Sequence, residues 1–582
     1  MQVLLLHPED RALSGAWAKT QWAAVYDLAR SGWTACERWS AAFGCPVKPI
    51  DGLREEYREV QRVRDLLWSG YGHLFDREGL DWWELASILV HQRLENLVLL
   101  WKLADELPRD AEVWITRDGF EADVLRFRVG SRLQVFSRQN TDRPTVLKRY
   151  MKRVWQLPLA HVAQTAGDKY DAGYRVRRYF HRRPRRTGDP AVLVPSSYVN
   201  MSRTGASCAQ LLPDTSFLLV STRRSGRLGE VPGNVRQQWL ASYAERASSE
   251  EVVDLLHRWD NLKAEMRAVP ELAALEQAGV LAGFSRYFAE SLAIRNAWMC
   301  VLANEPVSAV LCPDDSNPHT HIPLLLARKR GLPTVACHHG ALDGRYFFKR
   351  VHADVILAKG KMEQDYLVHT CGLDPSAIEV GAFSAPAVPR EKYIGGDCVV
   401  FFSEPYEMTG GRTEEIYRDL LPELVRLTKQ NGKRMVVKLH PSEDLRDRQA
   451  LARSVLCAEE FQLLEWMTGG FGERLLRKTW FGLTVQSSVA MECTVQGVPC
   501  FVCDWLDLWP YGYIGQFRKF GVGIGLRSPR EIAAIPKMLG TYSPDPKAVE
   551  RCWEPIRPER LEAILSGRVA EHAAPVSLQR AP

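Results

Sequence analysis

Residues 434–443 read Arg-Met-Val-Val-Lys-Leu-His-Pro-Ser-Glu, residues 481–492 read Phe-Gly-Leu-Thr-Val-Gln-Ser-Ser-Val-Ala-Met-Glu, and residues 497–503 read Gly-Val-Pro-Cys-Phe-Val-Cys. Three short apolar runs (Met435–Leu439, Phe481–Val485, Cys500–Cys503) are separated by helix-length segments. That rhythm predicts a parallel sheet buried on both faces. In such sheets ligands sit beyond the carboxyl ends of the strands, which is where His440-Pro441 and Ser487-Ser488 fall. Two hydroxyls at the mouth of a helix, beside free backbone N–H groups, suit a phosphate, and an imidazole on the neighbouring loop can donate to it. Each pair alone reads equally well as a helix cap or a strand end. In order, on consecutive βα units, they point to a nucleotide-phosphate site. Lys438 adds charge there if its side chain reaches the site, although a strand lysine can also simply face water.

The same alternation extends outward. At 582 residues the chain exceeds one core, and 46% hydrophobic with 25% charged residues is ordinary for a globular protein. A net charge of +6 gives no case for nucleic acid as a partner. Thirteen cysteines, odd in number and without framework spacing, suggest reduced thiols and a cytoplasmic protein. Cys500 and Cys503 form a C-x-x-C, but inside a predicted buried strand, which argues against zinc or redox work. No apolar stretch approaches the ~18–20 residues that span a bilayer. Met1–Asp10 lacks the basic flank of a signal peptide and reads as a first strand.

The expected organisation is an N-terminal α/β domain over 1–385, a Pro/Gly linker at 386–396, a second α/β domain at 397–545, a terminal helix at 546–567 broken by Pro555 and Pro558, and a frayed tail at 568–582. Within the first domain, 235–303 reads as one long helical region. A basic, aromatic insertion spans about 145–188. Its Arg175–Arg186 cluster, interleaved with Tyr179 and Phe180, suits an anionic lipid surface at the inner membrane face, or is simply a solvated loop. Trp82, Trp83, Trp505 and Trp509 are candidates for stacking on sugar rings, against the simpler expectation of a core.

Between strands near 307–312 and 334–337 lie Asp314-Asp315 and His338-His339-Gly340. Imidazole titrates near neutrality and Gly340 permits close approach, so His339 or His338 is a candidate general base, with Asp314 or Asp315 the carboxylate alternatives and Glu9 or Asp10 a further choice. The same residues with His319 and His321 supply metal-ligand types. Without an H-E-x-x-H spacing, no metal is expected.

The ordered set of His440-Pro441, Ser487-Ser488, Leu332–Gly340, Ala353–Gly360 and Val380-Gly381 resembles GT-B bacterial surface-polysaccharide glycosyltransferases. It is similar to capsule Kdo transferases, GT-B sialyltransferases and CDP-glycerol glycerophosphotransferases, and some features also occur in UDP-N-acetylglucosamine 2-epimerases. The resemblance covers most of 190–545. It implies two Rossmann-like domains facing across a cleft, with extra N-terminal elements. It also implies that His440, Pro441, Ser487 and Ser488 hold the donor phosphate, that Glu492 accepts a ribose hydroxyl, and that the first loop of the second domain, Ser403-Glu404 onward to Thr409–Arg412, contacts the donor. The implied function is inverting, metal-independent transfer of a sugar from a nucleotide-sugar, CMP-linked before UDP-linked, to a glycan or lipid-linked acceptor. The nucleotide-sugar is a substrate and no cofactor is expected. The alternatives are a CDP-polyol phosphotransferase, a 2-epimerase, or a non-enzymatic glycan- or membrane-binding scaffold.

Overall fold

The computed structural model describes residues 1–136 and 188–568, apart from residues 9, 11–15, 30–31, 54–57, 69–71, 246, 316–317, 341, 343, 384–392, 394, 410, 470–471 and 507–512. The Arg175–Arg186 cluster, most of the expected linker and the tail beyond Arg568 lie outside the described residues.

Three sheets carry the chain, and every strand pairing within them is parallel. The first contains β1 (Gln2–Leu6), β2 (Ala24–Asp27), β3 (Val47–Pro49), β4 (Glu112–Ile115) and β5 (Leu133–Val135), in the order β3-β2-β1-β4-β5. The second contains β6 (Ala191–Ser196), β7 (Ser216–Ser221), β8 (Val235–Trp239), β9 (Val307–Cys312), β10 (Thr334–Cys337), β11 (Val355–Ala358) and β12 (Ile378–Val380), in the order β12-β11-β10-β9-β6-β7-β8. The third contains β13 (Cys398–Phe402), β14 (Arg434–Lys438), β15 (Leu464–Met467), β16 (Thr479–Thr484), β17 (Cys500–Cys503) and β18 (Ile524–Leu526), in the order β15-β14-β13-β16-β17-β18. Strands such as Cys-Val-Val-Phe-Phe in β13 are buried at every position, because helices cover both faces of a doubly wound sheet. The fold is therefore α/β with Rossmann-like sheets, as the sequence predicted.

The described residues form two compact units. One comprises Met1–Val63, Arg93–Gln139 and Pro386–Trp553, and so holds the first and third sheets. The other comprises Arg64–Gln92, Asn140–Ala385 and Glu554–Pro582, and holds the second. The span 1–385, read from sequence as one domain, thus supplies two separate sheets. The local βα rhythm is the same in both, and only strand pairing, which is non-local, separates them. A second difference is β8. Its polar Val-Arg-Gln-Gln-Trp lies at the sheet's edge, with Val235 buried and the other four residues half-buried, so it needs no apolar run and the helical region begins later, at Ser249–Met266.

The chain's end returns to the second sheet. Ile556, Leu561, Ile564 and Leu565, from the helix Pro558–Leu565 and the segment before it, are buried in one cluster with Val192, Leu311, Val335 and Leu357. Gly381 makes this possible. Its backbone N–H bonds Ala358 O at 2.7 Å, and a Cβ there would lie 2.7 Å from Ile556 Cβ. Gly381→Ala is expected to push the terminal segment off the sheet and cost about 1–3 kcal/mol, read as a lowered midpoint in urea unfolding. Among the described residues no helix is long and apolar enough to cross a membrane.

Candidate active site

The third sheet places its chemistry where strand order reverses. β13 lies between β14 and β16, so the chain leaves these two strands on opposite sides of a crevice at the carboxyl edge. His440 follows β14, Ser487 and Ser488 follow β16, and Ser403 and Glu404 follow β13 between them. The two flanking strands are about 10 Å apart, two inter-strand spacings.

Ser403 and Glu404 each fix one side of this crevice. The Ser403 hydroxyl donates to Glu443 Oε1 at 2.8 Å and lies 2.7 Å from the Tyr417 hydroxyl. Glu443 Oε2 in turn accepts the His440 backbone N–H at 2.7 Å. Arg448 donates to Glu443 Oε1 at 2.6 Å and to both oxygens of Glu407, at 2.6 and 2.8 Å. On the other side Glu404 Oε1 accepts Thr484 Oγ1 at 2.9 Å, Gln486 N at 3.0 Å and Val485 N at 3.2 Å, which shapes the turn into Ser487. Burial raises the Glu404 pKa, and these hydrogen bonds oppose the rise. Ser403 and Glu404, expected to meet the donor, therefore anchor the loops that would.

His440 is exposed, and its protonation is set locally. The Ser442 N–H donates to His440 Nδ1 at 3.2 Å, with Ser442 Oγ 2.7 Å away from the same atom. An Nδ1 that accepts leaves the proton of the neutral ring on Nε2. Desolvation lowers the His440 pKa, against the pull of Glu443. The loop thus presents a neutral Nε2–H donor. Ser487 and Ser488 are half-buried. Ser487 Oγ accepts the Val489 N–H at 3.4 Å, while the Ser488 side chain caps nothing. The helix they precede, Val489–Val495, has only 7 residues, so the hydroxyls matter more than its dipole. Glu492 sits in its first turn, half-buried.

Two expectations are corrected here. Lys438 is buried, so it does not face water, and its ammonium donates to Leu439 O at 2.6 Å while acting electrostatically on Glu443 and His440. Burial also depresses its pKa. Arg412, from the loop expected to contact the donor, is 4% exposed, and its guanidinium is taken up by His7 O and Asp27.

The second sheet gathers another constellation at its own reversal point, the carboxyl ends of the adjacent strands β10, β9 and β6. β9 leads to Asp314, β10 to His338 and His339, and β6 to Tyr198. The Tyr198 hydroxyl donates to Asp314 Oδ2 and lies 3.2 Å from His339 Nδ1 and 3.4 Å from Nε2. The two rings meet edge-on, with centroids 5.0 Å apart. His339 Nδ1 is 3.9 Å from Asp314 Oδ2, so the tyrosine bridges an aspartate and a histidine too far apart for a direct bond. Burial and the neighbouring His338 push His339 down to about 3, against the pull of Asp314. Burial would raise Asp314, yet surrounding positive charge and the Tyr198 hydrogen bond hold it well below the usual carboxylate range. Tyr198 was not singled out from sequence; its only signal is its place just past β6.

Asp315 has a different environment. It is 1% exposed and ion-paired to Lys349 Nζ at 2.6 Å, which makes it a structural group and a poor base. Asp10 receives the His7 N–H at 2.9 Å, Arg117 Nε at 2.6 Å and the Thr116 hydroxyl, and is likewise committed. Glu9 and Trp509 lie outside the described residues. Trp82 and Trp83 are fully buried and donate to Asp76 Oδ2 and Leu67 O, both at 2.9 Å, and Trp505 is also buried. These three pack and do not stack on a sugar.

Among the described residues, one group has ligand atoms near enough to share a cation, Asp314, His338 and His339, all within 4.8 Å of one another. The donor set fits poorly. The Gly340 N–H donates to His338 Nδ1 at 3.2 Å, which puts that ring's proton on Nε2, and the positive charge of Arg345 acts on Asp314.

No family model matches the chain, and no curated protein matches it. Solved structures do. A Listeria monocytogenes protein described as a UDP-N-acetylglucosamine 2-epimerase aligns at 12% identity and TM-score 0.43 over 68% of this chain and all of its own length. The calicheamicin glycosyltransferase CalG4 aligns at 14% identity and TM-score 0.37, over 66% of this chain and 96% of that one. A variant of the wall teichoic acid polymerase TagF aligns at 12% identity and TM-score 0.36, over 72% of this chain and 98% of that one. By their descriptions these are an epimerase, a glycosyltransferase and a teichoic acid polymerase.

Proposed function

We propose that this chain is an inverting, metal-independent glycosyltransferase that takes a sugar from a nucleotide-sugar and delivers it to a glycan or lipid-linked acceptor of a bacterial surface polysaccharide. The observation that carries this reading is the carboxyl edge of the third sheet, where an exposed imidazole whose Nδ1 accepts from Ser442 and two serines flank a floor tied down by Ser403 and Glu404. Such preformed neutral donors suit an oxyanion that gains charge as a bond breaks. A base takes the proton from the acceptor hydroxyl, and the oxygen attacks the anomeric carbon; the second sheet offers His339 as that base. The carbon–oxygen bond to phosphate breaks, and its electrons settle on the phosphate facing His440, Ser487 and Ser488. Asp314, through Tyr198, stabilises the imidazolium formed on His339.

A thermal-shift series with CMP, CDP, UDP and GDP tests the donor side. One nucleotide, with a cytidine compound expected first, should raise the melting temperature, because a ligand of the native state stabilises it. Ser487→Ala should reduce that shift without lowering the melting temperature of the free protein. Equal or absent shifts with all four nucleotides contradict the reading. Conversion of a UDP-sugar with no acceptor present identifies an epimerase instead, and consumption of a CDP-polyol identifies a polyol-phosphate transferase.

A further inference from the structure

The first sheet also reverses strand order, at β1 and β4, so its carboxyl edge is where a parallel sheet of this kind receives a ligand. That edge is already filled from within the chain. Arg412 Nη2 donates to His7 O at 2.9 Å, past the end of β1, and to Asp27 Oδ1 at 2.8 Å, at the end of β2. Its guanidinium carbon lies 4.9 Å from the ring centroid of Trp39, so the N–H groups without a conventional partner rest against an aromatic face. Beside it, Asp10 is saturated by His7, Thr116 and Arg117, and His7 Nε2 lies 3.2 Å from Glu121.

Arg412 is also the N-cap residue of the helix Thr413–Gln430. Its carbonyl accepts the Glu415 and Ile416 N–H groups at 3.0 and 3.2 Å. Arg38, from the helix Gly32–Phe43, ion-pairs with Glu415 and Asp419 on the same helix. The helix is thus gripped by charged contacts to the N-terminal region. It also carries Tyr417, whose hydroxyl meets Ser403 at 2.7 Å and whose ring lies 5.9 Å from the Arg448 guanidinium. Ser403 and Arg448 both bind Glu443, which holds the His440 backbone.

We infer that Arg412 is an internal ligand of the N-terminal sheet and, through the helix Thr413–Gln430, a positioning residue for the His440 loop. The first sheet is then a clamp on the donor side and not a second nucleotide site. The functional half rests on the reading above. Lysine keeps the charge of Arg412 but cannot bridge Asp27 and His7 O while lying flat on Trp39. Arg412→Lys should raise the KM of the donor nucleotide-sugar about ten-fold with kcat changed less than about two-fold. Asp27→Asn, which keeps an acceptor oxygen, should shift KM in the same direction by a smaller factor, and serves if the lysine variant fails to fold. Hydrogen exchange on the full chain supplies a readout independent of any nucleotide. In either variant, the amides of His440, Ser442 and Glu443 and of the first turn after Arg412 should exchange faster, while those of β17 and β18 stay unchanged. Faster exchange across the whole third sheet, or a lowered melting temperature with exchange at 440–443 unchanged, overturns the positioning role. If exchange at 440–443 rises but the wild type binds no nucleotide, the glycosyl-transfer reading fails and the clamp stands.

Discussion

Asp314→Asn should lower sugar transfer about a thousand-fold while leaving nucleotide-induced stabilisation in place. The argument is electrostatic. In the resting protein His339 is neutral, held near 3 by burial and by His338, so it is in the form that accepts a proton. Once it has accepted one, a half-buried imidazolium must be stabilised, and Asp314, reached through the Tyr198 hydroxyl, is the carboxylate placed to do so. Asparagine keeps the size and an acceptor oxygen but removes the charge. The pH profile supplies a sign. Activity that needs neutral His339 is lost as pH falls through its pKa, and Asp314 is the group pulling that pKa upward. Wild-type turnover should therefore lose nothing to His339 between about pH 8 and about pH 5, and Asp314→Asn should not move an acid limb into that range. Tyr198→Phe, which breaks the bridge but leaves the charge, should cost less. Undiminished transfer by Asp314→Asn would move the base elsewhere. Loss of the nucleotide shift in that variant would mean a general loss of fold, because its donor residues belong to another sheet.

What the sequence made legible was whatever depends on short-range order. The strands around Val436, Leu483 and Phe501 are continuous apolar runs because both faces of a parallel sheet are covered, and polar residues past their ends fall at the carboxyl edge by construction. His440, Ser487, Asp314 and His339 could be found that way. The roles of Ser403, Glu404 and Asp315 could not. Each depends on a partner fixed by folding: Glu443 for Ser403, the Thr484–Gln486 turn for Glu404, Lys349 for Asp315. An aspartate that pairs with a buried lysine and one that meets a tyrosine and a histidine are adjacent in the chain, yet they point to different surroundings. Tyr198 was hidden for the same reason, since it joins Asp314 and His339 only after β6, β9 and β10 lie side by side. The division of the first 385 residues into two sheets was equally beyond local pattern. The edge strand β8 was masked by its own polarity.

The other large effect belongs to His440. Replacing it with alanine should reduce kcat about 10²–10³-fold, the range for losing one preformed donor to a developing oxyanion. The side chain is exposed and, among the described residues, its ring bonds only to Ser442 in its own turn, so the fold should be indifferent and the melting temperature of the free protein unchanged. The decisive comparison is with His440→Gln. Glutamine places an amide nitrogen near the position of Nε2 but has no ring nitrogen to accept the Ser442 N–H. If the outward N–H is what matters, it should recover part of the lost rate despite poorer orientation. If His440 instead works as a titrating acid or base, glutamine should be as inactive as alanine. Neutral donation also fixes the pH response. Desolvation lowers the His440 pKa, so across the neutral range the ring stays uncharged and its contribution stays constant. A wild-type rate that instead rose as His440 became protonated would assign it a cation's role, and the neutral-donor mechanism would have to be abandoned.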